Sequence, residues 1–275
     1  MTSHRPRLAL VGAGRVGRAL GLVLRNAGYS IGSVVCRKAS SARDAVAFIG
    51  GGTARTISRL RAIDGDVVIV ASPDDAIEDV ARRIALLPER FEGRTILHVS
   101  GSQSSMALAD VKRRGASTGS CHPLQSFPTA ELGATRIAGS TFAIEGDRAA
   151  VAVATRLARD AGGRPMRLRA GDKPRYHAAA VMAAGHVAAL LDASLEALQA
   201  LGMREEEARE AIMPLVEGTV ANIRRTGTRV ALTGPFARGD EATIELNRAA
   251  LMAVNEALAR LYEELGVRSR VMARR

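Results

Sequence analysis

The sequence predicts an α/β protein: a doubly wound, mainly parallel sheet over residues 1–168, followed by an all-α C-terminal domain over residues 169–275. Three observations predict it. Short, almost continuously apolar segments alternate with amphipathic helical ones through the first half, as in a parallel sheet covered on both faces. A glycine-rich turn follows the first of these segments. Beyond about residue 169 the strand signals stop, and long alanine- and leucine-rich helical patterns take over.

The first element is Leu8–Val11, an apolar strand that leads into Gly12, Ala13, Gly14, Arg15, Val16 and Gly17 and then into a helical pattern. Strand, GxGxxG and helix in this order are the dinucleotide fingerprint of a Rossmann domain. The glycines allow a tight turn, close backbone approach to a pyrophosphate, and close packing of helix on strand. The pyrophosphate is expected on the free N–H groups at the helix start. The second strand, "SIGSVVCR", ends where an NAD-binding domain carries an acid for the ribose 2′-hydroxyl. Arg37, Lys38, Ser40 and Ser41 stand there instead. A guanidinium binds a phosphate bidentately, whereas an Asp would repel it, so the expected cofactor is NADP.

"DVVIVASPDDAIEDVARRIA" reads as a buried strand, a polar turn and an amphipathic helix, and "TILHVSGS" as the next strand. Ligands of such sheets sit off the C-terminal ends of the strands, so Ser72, Pro73 and Ser100 are expected at the nicotinamide end of the groove. "SCHPLQSFP", residues 120–128, reads as a loop in which Pro123 holds His122 extended. His122 is a candidate catalytic residue. "STFAIEG" and "RPMRLRAG" read as the last strands, with a helix over 147–161 between them.

In the second half, Asp172 is expected to cap a helix that runs to near Gly202, with Pro174 tolerated in its first turn. Further helices are expected over 205–225 and 241–265. Lys173 is one of only three lysines in an arginine-rich chain. It is spaced i,i+4 from His177, so both project from one helix face. The positive end of the helix dipole disfavours the ammonium, which helps this lysine release a proton near neutral pH. Hydride addition to a carbonyl or imine needs such a donor, and arginine cannot serve. In "TGPFARGD", Arg238 is a candidate site for a substrate anion and Asp240 an N-cap.

Composition excludes other classes. The formal charge is +11, but the arginines are scattered and aromatics make up only 3%, so the footprint of a nucleic-acid binder is missing. There is no HExxH motif, no YxxxK pair and no GxxxxGK[ST] loop, and Cys36 and Cys121 have no metal-type spacing. Both cysteines are expected to be buried and reduced. No run of about 18 consecutive apolar residues is read, nor a signal peptide, so a soluble, cytoplasmic protein without membrane contact is expected.

"GAGRVGRALG", "CHPLQSFP", "KPRYHAAAVMAAGH" and "TGPFARGD" together resemble Rossmann-like proteins with a C-terminal domain of unknown function 2520. That family is related to pyrroline-5-carboxylate reductase, ketopantoate reductase, prephenate dehydrogenase and 6-phosphogluconate dehydrogenase. The resemblance implies an NADP-type cleft closed by a helical domain, with homodimerisation through the helices, and no settled substrate. The sequence departs from the family pattern twice. Gly185 and His186 stand where an asparagine is expected in the helix, and Asn247 stands in place of a histidine after the "RGD" loop. Asn247 is a second candidate substrate contact. The reading is a metal-free, NADP-dependent oxidoreductase that reduces a small carbonyl or imine carboxylic acid between the domains. In it Lys173 donates the proton, His177 orients or relays, and Arg238 holds the substrate anion. A dinucleotide-binding sensor that turns nothing over is the alternative.

Overall fold

The computed structural model describes residues 5–274. The chain forms two compact units, Met1–Met182 and Ala183–Arg275. The first unit contains β1 (Leu8–Val11), α1 (Arg15–Asn26), β2 (Ile31–Cys36), α2 (Ala39–Ile49), β3 (Thr53–Thr56), β4 (Val67–Val70), α3 (Ile77–Ala85) and β5 (Thr95–His98). It continues with α4 (Ala109–Arg113), β6 (Ser117–Leu124), α5 (Ala130–Arg136), β7 (Thr141–Gly146), α6 (Arg148–Asp160), β8 (Arg164–Arg167) and α7 (Lys173–Ala183).

These strands form one sheet in the order β3-β2-β1-β4-β5-β6-β7-β8. The pairs are parallel except β6 with β7, which is antiparallel. The order 3-2-1-4-5-6 is that of a dinucleotide-binding domain, and it reverses between β1 and β4, where such sheets bind ligands. Successive strand residues point to opposite faces, which divides the core in two. Leu8, Leu10, Ile69 and Leu97 pack under α1 and α6, while Ala9, Val11, Val68 and Ile96 pack under α3 and α4. The outermost strands are short and half-exposed. β3 exposes Arg55, and β8 reads Arg-Pro-Met-Arg with both arginines exposed.

Several expectations are corrected. Residues 120–124 are strand, not loop: β6 runs to Leu124, and His122 pairs with Ala143 across the antiparallel ladder. β3 carries no apolar run and was not expected. The division into compact units falls after Met182, so all of α7 but its last residue lies in the first unit. Asp172 is not an N-cap, because a 3-10 turn over Ala170–Asp172 already leads into α7. The long helix expected to reach Gly202 is interrupted at Ala184, whose φ of −125° and ψ of −71° leave the helical region.

The second unit holds α8 (Gly185–Gln199), α9 (Glu205–Ala231), α10 (Pro235–Arg238), α11 (Glu241–Val254) and α12 (Glu256–Ala273). α9 is broken at Gly227, where φ is +80°. The single helix expected over 241–265 is two, because Asn255 is extended and its Oδ1 accepts from Ala257 N (2.9 Å) to cap α12. Few side chains of this unit are buried, among them Ile244 and Leu258, while Val187, Leu190, Leu215 and Leu246 are exposed. An apolar groove of about 700 Å³ lies between Leu190, Leu215, Phe236 and Leu265. The stretch Ala170–Gln199 is long and apolar enough to cross a membrane by length and composition, which corrects the expectation that no such stretch exists.

Candidate functional site

A groove of about 1080 Å³ crosses the C-terminal ends of β2, β1, β4, β5 and β6, and all its lining residues belong to the first unit. Its floor is the glycine turn. Gly12 has φ +82°, and a Cβ there would lie 2.6 Å from the Ser72 backbone nitrogen, so only glycine fits. Its N–H donates to Val35 O (2.8 Å), which fixes the turn against β2. Gly14 faces open space, so its backbone can be approached closely. Gly17 is buried under α1, where a Cβ would sit 3.1 Å from Ala71 Cβ. It supports the groove rather than lining it. α1 starts without a side-chain cap or a first-turn acid, leaving its N–H groups free for an anion.

At the end of β2 the groove is lined by Arg37, Lys38 and Ser41, with Arg15 and Arg18 from α1. Arg18 was not singled out from the sequence. It is steered by two carbonyls, donating from Nε to Ala13 O (3.2 Å) and from Nη2 to Ser41 O (3.4 Å). Ser40 is exposed outside the lining, and Ser41 takes the place expected for it.

The opposite end is formed by Ser72, Pro73, Ser100, Gly101, His122 and His177. The two histidine rings meet edge to face, 6.1 Å apart. Gly101 makes room for them: a Cβ there would lie 2.5 Å from His177 Nδ1 and 2.9 Å from His122 Nε2. His122 Nδ1 lies 2.7 Å from the Tyr176 hydroxyl. Burial first, and then the Lys173 and His177 charges, push His122 down to about 4, so it is neutral at ordinary pH. Burial pushes Tyr176 up to about 12, so its hydroxyl keeps its proton. His177 Nδ1 is buried without a hydrogen-bond partner among the described residues, an uncommon state that marks strained or functional positions. Asp74, absent from the sequence expectations, also lines this end and accepts from Ser102 Oγ (2.6 Å).

Lys173 is not a solvated residue at a helix end. It is fully buried beneath the groove, and its Nζ donates to Ser100 O and Ser120 Oγ, both at 2.8 Å. Burial pushes it down to about 8 against the opposing pull of Glu145 and Asp74, so burial supplies the cause that the sequence assigned to the helix dipole. His98, which the sequence reading passed over, is fully buried beside it. His98 Nδ1 accepts from Ser100 N (3.2 Å), which leaves its Nε2–H to donate to Ser104 O (3.0 Å).

The remaining candidates lie in the second unit. Arg238 ends α10 and is exposed, and Asn247 Nδ2 donates to the Tyr262 hydroxyl (3.1 Å). Asp240 caps α11, accepting from Thr243 N (3.2 Å), as its place before a helix predicts. Cys36 and Cys121 are buried free thiols.

Residues 1–123 match the model of a Rossmann-like domain, and residues 140–269 match that of the domain of unknown function DUF2520. The chain is a Rossmann-like protein with a C-terminal DUF2520 domain. The DUF2520 match starts at the strand β7, so it takes in the last two strands of the sheet as well as the helices. No curated protein matches the chain at the sequence level. Among solved structures it is similar to protein TM1727 from Thermotoga maritima, with 27% identity, 97% of this chain and 98% of that chain covered, and a TM-score of 0.76. Protein BF3122 from Bacteroides fragilis, named as a candidate NADP oxidoreductase, shares 22% identity over 98% of this chain and 99% of that chain, with a TM-score of 0.78. A 1-pyrroline-5-carboxylate reductase from Streptococcus pyogenes shares the fold at 15% identity, with 98% and 100% covered and a TM-score of 0.65.

Proposed function

We propose that this Rossmann–DUF2520 protein is an NADP-dependent oxidoreductase that reduces the C=O or C=N bond of a small carboxylic acid. The observation that carries this reading is the polarity of one groove. Free helix N–H groups and the cations Arg15, Arg18, Arg37 and Lys38 lie at the β1–β2 end, and a histidine pair lies at the β5–β6 end. The glycine floor and the absence of an acid after β2 fit a dinucleotide with a 2′-phosphate. When bound, NADPH supplies the hydride. Arg37 and Lys38 would hold the phosphate, while Gly12 and Gly14 admit the pyrophosphate.

The proton at the reactive end falls to the groove-lining histidines rather than to Lys173, because Lys173 is enclosed. His177 is the orienting or donating ring, and neutral His122, tethered to Tyr176, polarises the substrate oxygen or nitrogen. The sparsely buried helices and apolar groove of the second unit support homodimerisation through these helices. A cytoplasmic location is part of the same proposal. The test is a parallel titration with NADPH and NADH followed by nicotinamide fluorescence. Tighter NADPH binding that Arg37→Asp abolishes is expected, followed by NADPH oxidation with a 2-keto acid or a cyclic imine acid. Binding of neither nucleotide overturns the reading.

A further inference from the structure

Beneath the groove lies a chain of buried polar groups that the cofactor reading does not use. Lys173 Nζ donates to Ser100 O, on the residue before Gly101. It also donates to Ser120 Oγ, two residues before His122 on β6. Lys173 itself stands four residues before His177 on α7. One ammonium therefore touches the three segments that carry Gly101, His122 and His177. Lys173 is the most deeply buried side chain of α7; Tyr176 and His177, which meet His122, are only half-buried.

The ammonium is in turn supported from β7. Ser120 Oγ accepts from Lys173, so its own hydrogen is free for Glu145 Oε2, 3.5 Å away. Glu145 is buried, and it also accepts from Ser105 N (2.8 Å) and Ser105 Oγ (2.6 Å). A buried cation is costly unless charge and hydrogen bonds compensate it, and Glu145 is the largest compensating charge, followed by Asp74.

We propose that Glu145 and Ser120 are positioning residues: through Lys173 they lock the ends of β5 and β6 to α7 and so place Gly101, His122 and His177 at the reactive end of the groove. This rests on the reductase reading for its purpose, but not for its geometry. The charged and titratable groups that face Lys173 are Glu145 from β7, Asp74 after β4, His98 from β5, and Cys121 and His122 from β6, while His177 stands one turn on along its own helix. Burial lowers Lys173, and Glu145 is the largest influence holding it up. A neutral residue at 145 therefore lowers it further.

With only three lysines in the chain, lysine-selective ¹³C labelling of the full-length protein resolves each ammonium by NMR. One signal is expected to titrate at about 8, apart from the ordinary 10.5. Glu145→Gln should lower that midpoint and shift the His122 and His177 ring signals, and Ser120→Ala should shift the same rings. NADPH titration of the same variants should match wild type, because neither residue lines the groove. A Lys173 midpoint and histidine spectra unchanged by Glu145→Gln overturn the proposal. If Glu145→Gln does not fold, Ser120→Ala alone decides, since it removes the link and leaves both charges. Wild-type protein that binds no NADPH sinks the reductase reading and leaves the lysine titration still decisive for the geometry.

Discussion

Gly101→Ala is the substitution that most directly tests the histidine pair. Its added methyl would start 2.5 Å from His177 Nδ1 and 2.9 Å from His122 Nε2. These are roughly 0.9 and 0.5 Å short of ordinary contact, a range in which repulsion outweighs dispersion. The backbone at Gly101 is not left-handed, so strain comes from the rings alone. Both must turn aside. Overpacking of this kind costs about 1–3 kcal/mol. Loss of the 2.7 Å His122–Tyr176 bond accounts for about 1 kcal/mol of that. A less flexible unfolded chain returns about 0.4–1 kcal/mol, so the net loss is about 1–2 kcal/mol, or a few degrees in Tm. Turnover should fall about 100-fold, the usual consequence of a 1 Å misplacement, with NADPH affinity kept because the glycine turn is untouched. The assay is thermal unfolding together with histidine NMR and NADPH titration. A variant with wild-type Tm and unmoved ring signals would refute the packing argument.

Two further outcomes follow from the same geometry. Gly12→Ala places an L-residue at φ +82° against the Ser72 backbone. It should cost more than the roughly 1 kcal/mol of a left-handed residue, lower Tm and abolish NADPH binding; a variant that binds normally contradicts the turn geometry. Acid sensitivity should come partly from His98, which burial pushes down to about 4 from 6.5. Between these values the unfolded state binds more protons, so the stability is fully present above 6.5 and lost as pH falls towards 4. The loss is about 3 kcal/mol. Urea midpoints between pH 7 and 4 should fall less steeply in His98→Asn; equal slopes refute it.

The sheet was legible because its strands are apolar on both faces and its glycine turn is a local signal. β3 escaped because "TART" has neither property, and its place comes only from pairing with β2. The strand character of "SCHPL" escaped because Pro123 reads locally as a loop, whereas pairing with β7 decides otherwise. At the site, sequence spacing found Lys173 and His177, but spacing along a helix cannot say which side chain faces a groove and which is enclosed. Glu145, His98 and Asp74 were missed for a related reason. They gather around Lys173 from three different strands or strand ends, and no short motif joins them. Arg18 had a signal, since it stands one helical turn after Gly14.

The two rims of the sheet give the arginine surplus a second meaning. An unpaired outer strand is a template for another strand, and charges or proline on it discourage that pairing. Arg55 guards one rim, and Arg164, Pro165 and Arg167 guard the other. Two copies meeting rim to rim would set guanidinium against guanidinium, a repulsion that added salt weakens. Part of the +11 charge thus keeps sheets apart in a crowded solution instead of drawing anions in.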